Sequence, residues 1–181
     1  MNVYVASPYQ VPFELRGFID EANGAQLVEW RAKAALRQTA RLQHAAWQLK
    51  SPIFFYSPIA YETAIIDALN ILPAFRQDGA YWMLVDAGIM TRMDACVMLS
   101  LPGWSHSSGV REELEHFDNL IGAPIVQLLP MLSNVPTPPE VSTINKILTK
   151  DEINRQPTKT SVSFADYADV VTHLSAYGGL K

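Results

Sequence analysis

The stretch Ala95-Cys96-Val97-Met98-Leu99-Ser100-Leu101 is followed by Pro102-Gly103, and soon after by Ser107-Ser108-Gly109-Val110-Arg111-Glu112-Glu113-Leu114-Glu115-His116-Phe117. The apolar run has the length and character of a buried strand, and Pro-Gly ends it. The second segment predicts a helix from Val110 onward, with Ser107 as its N-cap. Gly109 falls at the turn, where a missing Cβ leaves the backbone open to another group. Glu113 then sits one to two turns inside a helix that starts at a strand's carboxyl end. In an open parallel sheet that edge is where ligands bind.

Working outward, Val3-Tyr4-Val5-Ala6 is a short β-type run that stops at Ser7-Pro8. Residues 10–24 hold Pro12, Gly17 and Gly24 among polar residues and read as a long loop or an irregular helix. From 25 to 49, Leu27, Trp30, Ala34, Ala35, Leu42, Ala45 and Ala46 recur at helical spacing between Arg31, Lys33, Arg37 and Arg41. A strand over 52–56 ends at Ser57-Pro58. A helix over 60–72, a connection over 73–79 and a helix over 82–93 lead to the 95–101 strand. The 110–121 helix and a strand over 124–129 complete the pattern. Strands alternating with helices predict an α/β fold with a mostly parallel sheet and helices on both faces. Beyond Pro130 the character changes. Residues 1–132 read as the α/β domain, and 133–181 as a Pro- and Thr-containing linker followed by a helical extension with fragments at 150–154 and 164–177.

The chain of 181 residues is 49% hydrophobic and 18% charged, which suits one globular domain with a substantial core. Its net charge of −4 and the absence of Lys/Arg runs argue against a long nucleic-acid partner. No apolar run is long enough for a bilayer, and the start Met1-Asn2-Val3-Tyr4 has no basic region before an apolar stretch, so neither a membrane span nor a signal peptide is expected. The single cysteine, Cys96, fits a reducing compartment. The expectation is a soluble, cytoplasmic protein.

Several residues carry chemical potential beside an ordinary structural role. Tyr4 suits a strand aromatic as well as a site. Ser7-Pro8 ends the first strand without the glycines or lysine of a dinucleotide or P-loop motif. Asp94 suits a turn or cap before a strand, whereas Asp86 stands beside the apolar Trp82, Val85 and Ile89. Glu112, Glu113 and Glu115 suit a solvated helix face. His106 and His116 find no third ligand at compatible spacing, so no metal is expected. Cys96, inside an apolar strand, reads as an inert thiol.

Taken in order, Tyr4-Val5-Ala6-Ser7-Pro8, Arg31, Tyr56-Ser57-Pro58-Ile59, Trp82 with Asp86, Asp94, Leu101-Pro102-Gly103-Trp104 and Ser107-x-Gly109-Val110-x-x-Glu113 resemble the nucleoside 2-deoxyribosyltransferase-like superfamily. This group includes the deoxyribosyltransferases and the deoxynucleoside 5′-monophosphate N-glycosidases, and the Leu-Pro-Gly-Trp and Ser-Pro-Ile elements look most like an uncharacterised bacterial and phage branch. The resemblance covers roughly residues 2–130. Together with the alternation it implies a doubly wound, flavodoxin/Rossmann-like sheet of five parallel strands with the first strand central. It implies that Glu113 is the catalytic carboxylate at the anomeric carbon, that Tyr4 orients it, and that Asp86 contacts the base or assists its departure. Ser7, Pro8, Ser107, Ser108, Gly109 and Arg31 are the implied substrate-binding residues. No cofactor is implied, and a homodimer or higher homo-oligomer is. Departures from the pattern are the long loop after Tyr9, the missing glycine-rich loop with its arginine, and Phe117 where a small residue is usual.

The implied chemistry is physically coherent. Breaking an N-glycosidic bond builds positive charge on the sugar, which a fixed carboxylate stabilises best where water is excluded. A neutral serine at position 107 donates to a phosphate where a carboxylate would repel it. The expected activity is therefore N-glycosidic cleavage of a (deoxy)nucleoside 5′-monophosphate. Base exchange by a deoxyribosyltransferase, and a catalytically silent nucleotide-binding protein on the same fold, stand as the alternatives.

Overall fold

Val3, Tyr4, Val5 and Ala6 are all buried, and so is every residue of Ala95–Leu99. Strands that read apolar on both faces must be covered on both faces. The computed structural model describes residues 1–11, 19–69, 79–119, 123–129, 137–138, 141–142, 144–146, 152, 158 and 161–179. Within them the elements are β1 (Asn2–Ala6), α1 (Glu21–Gln48), β2 (Phe54–Tyr56), α2 (Pro58–Leu69), α3 (Gly79–Met90), β3 (Ala95–Leu99), α4 (Ser108–Asp118), β4 (Ile125–Leu128), β5 (Val162–Phe164) and α5 (Tyr167–Gly178). A single 3₁₀ turn, Trp104–His106, lies between β3 and α4.

The sheet has five strands in the order β2-β1-β3-β4-β5, and every ladder is parallel. This is the flavodoxin-like doubly wound order. The middle strand is β3, not β1; β1 is interior, paired with β2 on one side and β3 on the other. The connections reverse direction between β1 and β3, and so the loops after these two strands open side by side.

The pleat divides the core in two. Val3, Val5, Val97, Leu99, Val126 and Leu128 face α1 and α5, against Leu27, Ala35, Leu42, Val170 and Leu174. Tyr4, Ala6, Cys96, Met98 and Ile125 face the opposite way, against Val110, Leu114 and Phe117 of α4. Alternate residues of one strand thus serve different layers. Tyr4 belongs to the α4 layer by this parity alone.

Several element boundaries depart from the sequence reading: α3 runs over Gly79–Met90 rather than 82–93, α2 and α4 start two residues early, and two further departures shape the core. Helix α1 begins at Glu21 rather than near residue 25, because Asp20 caps it by accepting from the Asn23 amide at 2.8 Å. Gly24 is no breaker there: it lies within the first turn of α1, and its amide donates to the Asp20 carbonyl at 2.9 Å. The second departure is at residue 164, read as the start of a helix. Val162–Phe164 is instead the sheet's fifth strand, and α5 starts at Tyr167 behind an Asp166 cap that accepts from Ala168 N at 2.7 Å. The segment set apart as an extension thereby supplies an edge strand and a helix of the main core. Ser163 Oγ donates to Gln127 Oε1 at 2.6 Å, and Gln127 Nε2 donates to Ser100 Oγ at 2.8 Å, linking β5, β4 and the end of β3. Among the sequence expectations, the connection over 73–78, residues 120–121 of the 110–121 helix, most of the linker to 143 and the 150–154 fragment apart from Glu152 lie outside the described residues. No described helix is long and apolar enough to cross a membrane.

Candidate active site

Ser107 ends the turn after β3 in extended backbone, and its Oγ accepts from Val110 N at 3.3 Å. It caps α4 as its position predicts. Ser108 and Gly109 form the first turn of α4 and are exposed; a Cβ on Gly109 would touch only Ser107 Oγ, at 3.9 Å. The start of α4 is therefore open to solvent. Glu113 follows on the same helix, about 8 Å further along the axis at 1.5 Å per residue.

Glu113 meets Tyr4 across the α4 layer. Tyr4 Oη donates to Glu113 Oε1 at 2.7 Å. Tyr4 is fully buried, its ring held by Phe117 at 5.7 Å and Tyr56 at 6.2 Å between centroids. Phe117 thus packs against the ring whose hydroxyl meets Glu113. Glu113 as a residue keeps part of its surface open, but its Oε2 is out of solvent contact and unpartnered among the described residues.

Asp86 on α3 and Glu62 on α2 lie close enough to act on Glu113 electrostatically. Asp86 Oδ1 and Tyr56 Oη are also covered and without a hydrogen-bond partner among the described residues. Burial raises Asp86 from 3.8 to about 6. Burial, and then the charge of Asp86, raises Glu62 from 4.5 to about 7. Burial raises Glu113 from 4.5 to about 8; the Tyr4 hydrogen bond opposes this, while Asp86, Glu62 and Glu112 add to it. The Tyr4 hydroxyl is pushed far above its ordinary range, by burial first and then by Glu113 and Asp86, so it stays a donor. Like charges in one poorly solvated site cannot all ionise near neutrality. Protons leave in steps that belong to the cluster as a whole.

Sequence reading misses Glu62, although a signal is present. It lies five residues after Ser57, whose Oγ accepts from Ala60 N at 3.3 Å at the start of α2. Glu113 lies six residues after its own capping serine, again on a helix that follows a strand. Asp94 has the turn role: its Oδ2 accepts from Asn2 N at 2.8 Å and anchors the start of β1. Cys96 is a buried free thiol whose ionisation is suppressed by burial first and by Glu113 second.

Ser7 and Pro8 are buried at the carboxyl end of β1, one strand over from the α4 start, and Ser7 Oγ has no partner among the described residues. Arg31 is placed differently from the substrate-binding role. It is fully buried, its Nη2 donates to Pro102 O at 2.5 Å, and its Nη1 donates to the carbonyl of Gln10. Burial lowers it to about 10, and Glu152 opposes that shift. A guanidinium engaged in this way ties the loops after β1 and β3 together. A groove of about 1050 Å³ opens between α1 and α2, bounded by Tyr9, Val11, Val28, Ala60, Thr63 and Ala64. None of the acidic cluster lines it, since Ala60, Thr63 and Ala64 share a face of α2 that Glu62 does not.

The model of the domain of unknown function DUF1937 matches residues 1–128. The chain belongs to this family. No curated protein matches it. The DUF1937 segment contains β1 to β4 together with Tyr4, Ser7, Glu62, Asp86, Ser107 and Glu113. The last strand, α5 and Glu152 lie beyond it.

Proposed function

We propose that this DUF1937 protein hydrolyses the N-glycosidic bond of a (deoxy)nucleoside 5′-monophosphate, in the manner of the nucleoside 2-deoxyribosyltransferase-like superfamily. The observation that carries the reading is the 2.7 Å hydrogen bond from Tyr4 to Glu113 inside a cluster of three poorly solvated carboxyls. Tyr4 leaves Oε2 of Glu113 unengaged, and a carboxylate held this way is suited to a cationic carbon. As the bond from C1′ to the base lengthens, positive charge grows on the sugar and favours the ionised form of Glu113. The cluster's proton, held in the free protein chiefly by Glu113 at about 8 rather than by Asp86 at about 6, passes to Asp86 as Glu113 ionises and from there to the departing nitrogen. Water then adds to C1′ and gives a proton back to the ionised carboxyl cluster, yielding free base and sugar 5-phosphate and restoring the starting protonation. The pairing of carboxyls shifted apart by their surroundings is the usual means of running acid and base steps together.

The anionic end of the substrate is assigned to Ser107, the Ser108 and Gly109 amides and the Ser7 hydroxyl. Helix amides and the helix dipole both favour a phosphate there. The four common deoxynucleosides and their 5′-monophosphates, incubated singly with the protein and assayed for free base, test the proposal. Release from monophosphates above nucleosides supports it; release that requires a second base would move the assignment to transfer. Ser107→Ala is expected to weaken turnover of the phosphorylated form roughly tenfold or more, because a hydrogen bond to a charged group contributes about 1.5–3 kcal/mol. We assign a cytoplasmic location from the free, buried Cys96. We also assign a homodimer, consistent with Met83 and Leu84 standing 61% and 76% exposed on α3. Sedimentation showing only a 20.2 kDa species would overturn the dimer.

A further inference from the structure

Gly103 follows β3 in the left-handed region, at φ 89° and ψ 8°, where a side chain is strained. The peptide group entering it is gripped at both ends. Arg31 Nη2 donates to the Pro102 carbonyl at 2.5 Å, and the amide of the same peptide, Gly103 N, donates to Glu152 Oε2 at 3.0 Å. In a trans peptide the carbonyl and the amide hydrogen point in opposite directions. The cation therefore sits at the negative end of the peptide dipole and the anion at the positive end. Glu152 Oε1 also accepts from Ser105 N at 2.8 Å, reaching into the 3₁₀ turn. Both side chains are buried, Arg31 at 0% and Glu152 at 7% exposed. The turn then runs through Ser107 N, which donates to Trp104 O at 3.1 Å, directly into the cap of α4.

We propose that Glu152 is a positioning residue of the active site: its carboxylate, opposed by Arg31 across the Pro102–Gly103 peptide, sets the turn that places Ser107 and the first amides of α4 for the substrate's phosphate. The assignment rests on the function proposed above. It gives the segment beyond the DUF1937 match a part in the site, since Glu152 comes from outside residues 1–128. It touches no substrate. A glutamine at 152 keeps the shape and one acceptor but loses the second acceptor and the charge.

The test uses the full chain as wild type, Glu152→Gln and Glu152→Leu, with hydrogen exchange followed residue by residue and kinetics on a deoxynucleoside 5′-monophosphate and its nucleoside. In Glu152→Gln the Gly103 and Ser105 amides are expected to exchange at least tenfold faster, with Val97 and Val126 unchanged. KM for the monophosphate is expected to rise about tenfold, with kcat and the nucleoside's KM altered less than threefold. Exchange quickened throughout the sheet, or a loosened turn with an unchanged monophosphate KM, would overturn the proposal. If wild-type protein releases no base from any substrate, the N-glycosidase reading fails on its own. The clamp is then judged by exchange and by the affinity for the same monophosphate measured calorimetrically. Should Glu152→Leu fail to fold, the glutamine variant alone decides.

Discussion

Two sets of ionisable side chains, one buried and one half-buried, lie within one fold, and they are built on opposite rules. Arg31 and Glu152 carry opposite signs, and their hydrogen bonds run to backbone carbonyls and amides. Glu62, Asp86 and Glu113 carry the same sign, and Asp86 Oδ1 and Glu113 Oε2 have no partner among the described residues. Opposed charges that engage backbone groups, with Arg31 Nε alone left over among their described contacts, hold loops in place. Like charges left partly unsatisfied hold protons near neutrality, which is the property acid–base chemistry needs. The contrast separates a structural use of burial from a chemical one, and substitutions in the two sets should fail in different ways.

The largest effect is expected for the pair of opposite sign. Arg31→Met leaves the Pro102 and Gln10 carbonyls and the Glu152 carboxylate without their cation. Breaking a buried charge arrangement by removing one partner costs about 3–5 kcal/mol. Thermal unfolding should show a midpoint lowered by roughly 10 °C, at about 2–4 °C per kcal/mol for a chain of this size. A midpoint within a degree of wild type would mean the pair does not brace the loops.

On the unsatisfied side the loss should fall on rate. Glu113→Gln is expected to lower kcat for base release at least roughly a hundredfold, the scale of removing one electrostatic stabiliser of a transition state. Glu112→Gln and Glu115→Gln, on exposed positions of the same helix, should change it less than about twofold, as surface substitutions away from special features do. Full activity in Glu113→Gln would end the mechanism.

How far this contrast can be read from sequence depends on which kind of contact makes it. Four strands and the helices around them are legible because β1 and β3 are unbroken apolar runs and α1 shows a helical stripe. Tyr4 and Glu113 are legible as a pair only through the family resemblance, since nothing local links residues so far apart; strand parity then explains why Tyr4 faces α4. β5 is hidden, because Val162-Ser163-Phe164 is too short to show alternation. Glu152 is hidden for a different reason. A carboxylate that serves backbone amides of a distant turn has no partner side chain whose spacing could announce it.

Glu113 should also mark the cluster in stability against pH. Burial raises the folded-state pKa of Glu113 above its usual 4.5 to about 8, so the folded protein binds its proton more tightly than the unfolded chain does. That contribution to stability is fully present below about pH 4 and is lost as pH rises through 8. Glu113→Gln removes the loss. The variant's thermal midpoint should therefore gain on wild type between pH 5 and pH 9. The gap should reach on the order of 2 kcal/mol, since a tenfold change in proton affinity corresponds to about 1.4 kcal/mol and both residual solvent and coupling to Asp86 and Glu62 reduce the total. A gap that narrows with rising pH would reverse the sign of the argument.

The finest division of the contrast lies in Tyr4, whose hydroxyl donates to Glu113 and pulls its proton affinity down against burial and the neighbouring carboxyls. Tyr4→Phe keeps the ring between Phe117 and Tyr56 and removes only the hydroxyl. The ionised glutamate then loses its hydrogen bond while burial and the other acids go on raising its pKa. The acidic limb of kcat/KM, which reports the free enzyme's essential base, should move to higher pH by about one unit, the lower end of what a hydrogen bond to a charged group is worth. At alkaline pH, where Glu113 is ionised in either protein, the two rates should converge to within a few fold. An unshifted limb with a pH-independent loss would make the hydroxyl a means of orienting Glu113 rather than of tuning it, and the acidic cluster's proton inventory would then be set by burial alone.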